Sequence, residues 1–202
     1  MPIKDRKLIL LRTDLLEEAI KITSKEGKTL YAFTNEIFEQ ALKAYQMDTT
    51  LKEVLELFML IKLEKDGGAI AIPVGLLDIM TKKLWENDKD ELLQKWFEFG
   101  VWYGQYLSIR FGGENWLTKF GKLIKSLYGF TEFNLESNSE KACIKCVSLY
   151  FTPEITECFS RFIEGVMQSA GYRSTKNRCL RGLIHIEFEK AKQKIEQTAV
   201  LL

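Results

Sequence analysis

Between Cys158 and Glu189 a helix-then-strand pattern is punctuated by glycines at fixed offsets, and no other stretch restricts the fold of this 202-residue chain as tightly. It runs Cys158-Phe-Ser-Arg-Phe162-Ile-Glu-Gly165, then Ser169-Ala-Gly171-Tyr172, then Cys179-Leu-Arg-Gly182-Leu-Ile-His185-Ile-Glu-Phe188-Glu189. A glycine on a helix face costs roughly 1 kcal/mol against alanine, so Gly165 marks a point where another backbone crosses closely. Gly171 ends the helix. The spacing then predicts an alternating strand, with Leu180, Gly182, Ile184, Ile186 and Phe188 on one face and Arg181, Leu183, His185, Glu187 and Glu189 on the other.

A long helix is predicted from Lys89 onward, with Leu92, Leu93, Trp96, Phe99, Gly100, Tyr103, Gly104 and Leu107 on one face. Gly100-x-x-x-Gly104, followed by the order above, resembles the 4-vinyl-reductase-type small-molecule-binding domain, a relative of the vesicle-tethering TRAPP subunits, over residues 76–190. The resemblance implies an α+β domain that binds a hydrophobic small molecule and is often fused to a DNA-binding module in prokaryotic regulators. It implies no reaction. It would place an apolar ligand against Phe99, Trp102, Tyr103 and Phe162; the competing reading of these aromatics is core packing.

Composition narrows the class without naming a partner. With 46 % hydrophobic and 12 % aromatic residues the chain can build a packed core. Its formal net charge of +1 restricts any nucleic-acid binding to local patches. The longest apolar runs, such as Ile70–Met80, are interrupted by Pro73 and Gly75 and fall short of the roughly 18 to 20 residues that span a bilayer. Leu8-Ile-Leu-Leu11 is too short for a secretory signal. No membrane association and a cytoplasmic location are expected.

Four cysteines in such a setting need not pair. Cys143 and Cys146 form a C-x-x-C, which alone suggests zinc or redox chemistry. On a strand, however, residues three apart point to opposite faces. The resemblance instead implies that Cys158 and Cys179 meet, and regulators with this domain can sense redox state through such thiols. The cofactor stays open, with zinc and an apolar small molecule as the two candidates. His185 is the only histidine, so two-histidine metal sites are excluded, and it falls on the charged face of its strand. No P-loop, G-x-G-x-x-G, G-x-S-x-G or H-E-x-x-H is present. Nothing argues for an enzyme.

In the N-terminal region Lys7–Thr13 reads as a short strand. Asp14 is placed as the cap of a helix that Gly27 stops, and a second helix is expected to open at Thr34-Asn35-Glu36. Strand, helix, loop, helix, and above all Asn35-Glu-Ile-Phe-Glu-Gln-Ala41-Leu42-Lys-Ala-Tyr45, resembles the ribbon-helix-helix DNA-binding fold. In that family two chains pair their strands into a ribbon that enters the major groove, and the second helix offers its backbone amides to phosphate. By position the resemblance points to Lys4, Arg6, Lys7, Arg12, Lys28, Thr34 and Asn35 for DNA contact. The loop Gly27–Thr34 is longer than the family's turn, although Thr29-Leu-Tyr-Ala-Phe33 could be an added helical turn. Residues 1–45 hold eight Lys/Arg against seven Asp/Glu, and the strand is mostly apolar. A strand that only builds a dimer therefore stays open as an alternative.

Residues 49–63 begin as a capped helix and end as a strand in pattern. Asp66-Gly67-Gly68 suggests a tight turn, with a return strand at Ala69–Ile72. Gly113–Leu127 is a further amphipathic helix, and Phe130–Leu135 and Ala142–Phe151 are two strands. The expected organisation is α+β: a strand-helix-helix dimerisation module over 1–48, a helix and β-hairpin linker over 49–75, an antiparallel sheet covered by helices over 76–190, and a helical tail over 191–202. The expected function is a homodimeric DNA-binding transcriptional regulator with a ligand- or redox-sensing C-terminal domain. The alternative is a dimeric small-molecule carrier or assembly protein without DNA binding.

Overall fold

The computed structural model describes residues 9–112, 116–138 and 140–191. The chain divides into two compact units, Met1–Met59 and Leu60–Leu202.

In the first unit, α1 spans Thr13–Glu26 and α2 spans Leu30–Gln46. The strand expected over Lys7–Thr13 lies partly outside the described residues. Within them Ile9–Arg12 joins no sheet and Thr13 already opens a helix, because a strand within one chain needs an edge to pair with and this unit offers none. Arg12, not Asp14, is the extended residue before α1; Asp14 sits in the first turn, where a negative charge suits the dipole. Gly27 closes α1 in the left-handed region at φ 65°, as expected. The second helix starts earlier than Thr34. Thr29 caps it, its hydroxyl accepting from Ala32 N at 3.2 Å, so the Leu30–Phe33 stretch is the added turn.

The boundary between the units falls inside α3, Leu51–Asp66. No β-hairpin forms at 49–75 among the described residues. A reciprocal capping box starts the helix, with Thr50 N donating to Glu53 Oε2 at 2.8 Å and Glu53 N to Thr50 Oγ1 at 3.2 Å. Helix then persists to Asp66, since Leu60, Leu63 and Glu64 are positioned for helical packing rather than alternation. The two glycines read as a hairpin turn are instead a helix end: Gly68 N bonds to Lys65 O and Ala69 N to Glu64 O.

In the second unit α4 spans Val74–Arg110 with a break at Asp88. Asp88 caps the second half, accepting from Glu91 N at 2.9 Å, so the helix predicted from Lys89 is present behind an additional helix that starts at Val74. Then follow α5 (Trp116–Leu127), β1 (Glu132–Ser137), β2 (Lys141–Val147), α6 (Pro153–Ser169), β3 (Tyr172–Leu180) and β4 (Leu183–Lys190). The single strand expected after Gly171 is thus two, joined at Arg181-Gly182. The four strands form one antiparallel sheet in the order β1-β2-β4-β3.

One sheet face is apolar and covered. Ala142, Ile144 and Cys146 of β2 and Ile184, Ile186 and Phe188 of β4 are all buried, and they join one core with Phe120 and Ile124 of α5 and Ile155, Ile163 and Met167 of α6. The protein is therefore α+β, an antiparallel sheet with helices on its apolar face. Gly182 pins the β3–β4 turn: its N–H donates to Thr156 Oγ1 at 2.9 Å, that hydroxyl donates to Thr152 O at 2.7 Å, and Ser148 N donates to Gly182 O at 2.8 Å. A Cβ there would fall on the Ser148 carbonyl. No helix of the described residues is long and apolar enough to cross a membrane.

Candidate functional site

Three glycines let α4 and α6 touch backbone to backbone. A Cβ on Gly100 would meet the Phe162 carbonyl, one on Gly165 the Phe97 carbonyl, and one on Gly104 the Ser169 hydroxyl. Large aromatics gather beside that crossing. Phe99 and Phe162 stack at 5.8 Å between centroids, Tyr103 lies 5.5 Å from Phe162, and Phe99 stacks on Trp102 at 5.5 Å. The four residues expected to wall a ligand are thus one cluster. Tyr103 and Phe162 are buried, whereas Phe99 and Trp102 stay 48 % and 46 % exposed. Tyr106 extends the open part of the cluster, its ring 5.7 Å from Trp102 and nearly parallel to it.

Under the aromatics lies a carboxylate that the sequence pattern did not single out. Glu64, at the end of α3, is only 8 % exposed. Tyr103 OH donates to its Oε1, and Tyr128 OH donates to Oε2 at 2.6 Å. Tyr106 OH donates to the neighbouring Leu63 carbonyl at 3.0 Å. Burial, reinforced by the negative charge beside them, pushes both Tyr103 and Tyr128 far above the usual phenol range, so both stay hydrogen-bond donors. A buried carboxylate needs such donors, and a phenol at each oxygen supplies them. The hint available in the sequence was an acid standing beside Leu63 in an apolar helix; its partners are 39 and 64 residues away.

Comparison with protein-family profiles, curated proteins and solved structures returns no match. The site must be read from its own chemistry.

The expected thiol pair does not form. Cys158 is buried on α6, with Glu157, Glu154 and Lys89 as its charged neighbours. Cys179 on β3 instead donates to Asn177 Oδ1 at 3.0 Å and bonds with Ser160, the residue α6 presents on that side. Positions two apart on a helix point to nearly opposite sides, so Ser160 faces Cys179 and Cys158 does not. Asn177 completes this polar knot, donating to Ser160 Oγ at 2.9 Å and to Glu164 Oε1 at 3.1 Å.

Cys143 and Cys146 point to opposite sheet faces, one half-buried and one buried, as the strand spacing requires. Cys146 and Cys179 flank Ile184 from the two neighbouring strands, which puts their backbones roughly 10 Å apart and beyond disulfide reach. Among the described residues no three His, Cys, Asp or Glu side chains gather to hold a metal. Burial raises all four thiols above their usual range, Cys158 to about 12.

That shift gives a pH-dependent expectation. A Cys158 pKa raised by folding means the unfolded chain loses this proton first, so the contribution to stability is intact below about pH 8.5 and is lost as pH rises through about 12. Mass-spectrometric mapping of iodoacetamide labelling at neutral pH should find Cys158 unmodified in the folded protein and modified after denaturation. Rapid labelling of the folded chain would restore a reactive-thiol reading.

The cations expected to meet DNA are partly engaged. Lys4, Arg6 and Lys7 lie outside the described residues. Arg12 Nε donates to Asp14 Oδ1 at 3.0 Å, and Lys28 lies 3.1 Å from both Glu26 and Glu36. Thr34 and Asn35 are inside α2, not at its start; they bond back to the Leu30 and Tyr31 carbonyls at 2.8 and 2.7 Å. That helix starts at Leu30, four residues upstream of the expected anion site, and its Ala32 amide is already taken by the Thr29 hydroxyl. His185 is on the open sheet face, across from Lys145 and Arg178 and 3.9 Å from Glu187.

Proposed function

We propose that the protein is a homodimeric DNA-binding transcriptional regulator whose Leu60–Leu202 unit binds an apolar, flat small molecule on Phe99, Trp102, Tyr103 and Phe162. The observation that carries the ligand part is the meeting of these four aromatics, two open and two buried, over the Glu64 carboxylate. Stacking on Phe99 and Trp102 would desolvate a ligand on one side, and the phenol–carboxylate pair beneath offers polar groups to orient it. Support for the DNA part comes from the capped start of α2, with Lys28 beside it, as a site for phosphate. Glu64 lies on the helix whose first residues belong to the N-terminal unit, so a ligand that rearranged it would act on the element joining the two activities.

A second reading, a dimeric carrier or assembly protein without DNA affinity, is favoured by the carboxylates already paired to Arg12 and Lys28. Fluorescence anisotropy with the duplex upstream of the chain's own gene separates the two. The regulator should bind specifically and more weakly as salt rises, and Arg12→Ala with Lys28→Ala should reduce the log–log salt slope by about two. No salt-dependent binding by the unaltered protein would leave the carrier or assembly reading.

A further inference from the structure

Phe99, Trp102 and Tyr106 recur at i, i+3 and i+7 on α4, so their rings form one row along a single helix face. Trp102 lies between the other two, 5.5 Å from Phe99 at 21° and 5.7 Å from Tyr106 at 5°. Near-parallel rings at such spacing are offset rather than eclipsed, which leaves part of each face open, and Phe99 and Trp102 remain exposed. The face of an aromatic ring is the negative part of its quadrupole. It attracts cations, most strongly on tryptophan.

The charges around this row do not balance. The charged groups acting on Tyr106 are Arg110, Asp66 and Glu64. Arg110 and Asp66 pair with each other at 3.1 Å, which leaves Glu64. One turn before Phe99, Lys95 pairs with Glu98 at 3.1 Å. Glu64 is bonded by two neutral phenols, Tyr103 and Tyr128, which satisfy its oxygens without cancelling its charge. A buried carboxylate without a cation is costly, and a ligand that brings the missing positive charge relieves that cost in the bound state. Tyr103 connects the two parts: its hydroxyl bonds Glu64, and its ring centre is 6.4 Å from that of Trp102. A ligand on the open rings is thus on the order of 10 Å from the carboxylate, where one charge at an effective dielectric of about 20 changes affinity roughly tenfold. A neutral occupant gains little from this field, and an anion is repelled by it.

We propose that the occupant of this site is a flat organic cation, an aromatic ring system carrying one delocalised positive charge, stacked on Phe99 and Trp102 with Glu64 as its counter-charge. This rests on the ligand part of the proposed function and narrows it to a chemical class. It depends neither on DNA binding nor on the oligomeric state.

Equilibrium dialysis of the full chain tests it with two probes: N-methylquinolinium, and lepidine, a methylquinoline of the same size that is neutral at mildly alkaline pH. N-methylquinolinium should bind about tenfold more tightly. Glu64→Gln should remove most of that preference, and Trp102→Ala should weaken both probes. Should Glu64→Gln not fold, the ratio on the unaltered chain decides. Lepidine binding as tightly as the cation would overturn the inference while leaving a ligand site in place, as would a preference that survives undiminished in Glu64→Gln. Binding of neither probe, or binding that Trp102→Ala does not weaken, would overturn the ligand reading and this inference with it.

Discussion

Replacing Gly165 by leucine is expected to prevent the Leu60–Leu202 unit from folding, and replacing it by alanine to lower the melting temperature by roughly 6–12 °C, the equivalent of about 3 kcal/mol for a chain of this size. Two effects compete. Alanine favours helix over glycine by about 1 kcal/mol. Against this, its Cβ would meet the Phe97 carbonyl while standing within 3.0 Å of Val101 N and Gly100 Cα. All three are backbone atoms, so no side-chain rotation relieves the overlap and the two helices must part. Overpacking wins. Gly75 is the control: it is also helical, but nothing lies within 4 Å of an added Cβ, so Gly75→Ala should leave the melting temperature unchanged or raise it. Differential scanning fluorimetry of both variants is sufficient. Equal responses at the two glycines would show that the α4–α6 crossing is not as close as described.

The second large effect is expected at Glu64. Glu64→Ala removes the acceptor for two buried phenols, each worth about 1–3 kcal/mol when left unpaired, and it opens a cavity. A loss of about 3 kcal/mol follows. Glu64→Gln keeps the shape, and its amide can donate to one phenol oxygen while its carbonyl accepts from the other, so the loss should stay near 1 kcal/mol. Chemical denaturation measures both. The informative case is Glu64→Leu, because well-packed apolar replacements of buried charged groups are often neutral or stabilising. If leucine holds or raises stability, the carboxylate does not serve folding and its role belongs to the ligand. If alanine and glutamine both leave stability unchanged, the phenol–carboxylate bonds are not made in solution.

Much of the fold was legible because local pattern and burial agree. The alternation from Ile184 to Phe188 identified the covered sheet face, Gly165 the helix crossing, and the C-x-x-C spacing the opposite placement of Cys143 and Cys146. β3 was hidden for a physical reason. As the edge strand it faces solvent for most of its length, so Arg173-Ser-Thr-Lys-Asn-Arg178 carries no apolar alternation, and its register shifts between Ser174 and Lys176. At 60–68 the local signals conflicted. An apolar run followed by Asp-Gly-Gly suits a hairpin as well as a helix end, and the capping box together with the burial of Leu63 and Glu64 decided for helix.

The candidate site divides along the same line. Aromatic residues at helical spacing on α4 were visible as a stripe, since a helix face is determined by its own sequence. That Phe162 joins them, that Glu64 and Tyr128 complete the cluster, and that Cys158 turns away from Cys179 depend on how α3, α4, α5 and α6 pack. By itself the sequence determined the class of each main element, the apolar face of the sheet and the points where only glycine allows two backbones to meet. The tertiary structure alone decided which polar groups are buried together. A backbone pattern is a property of neighbouring residues, whereas the partner of a buried carboxylate is found only after distant segments have closed on one core.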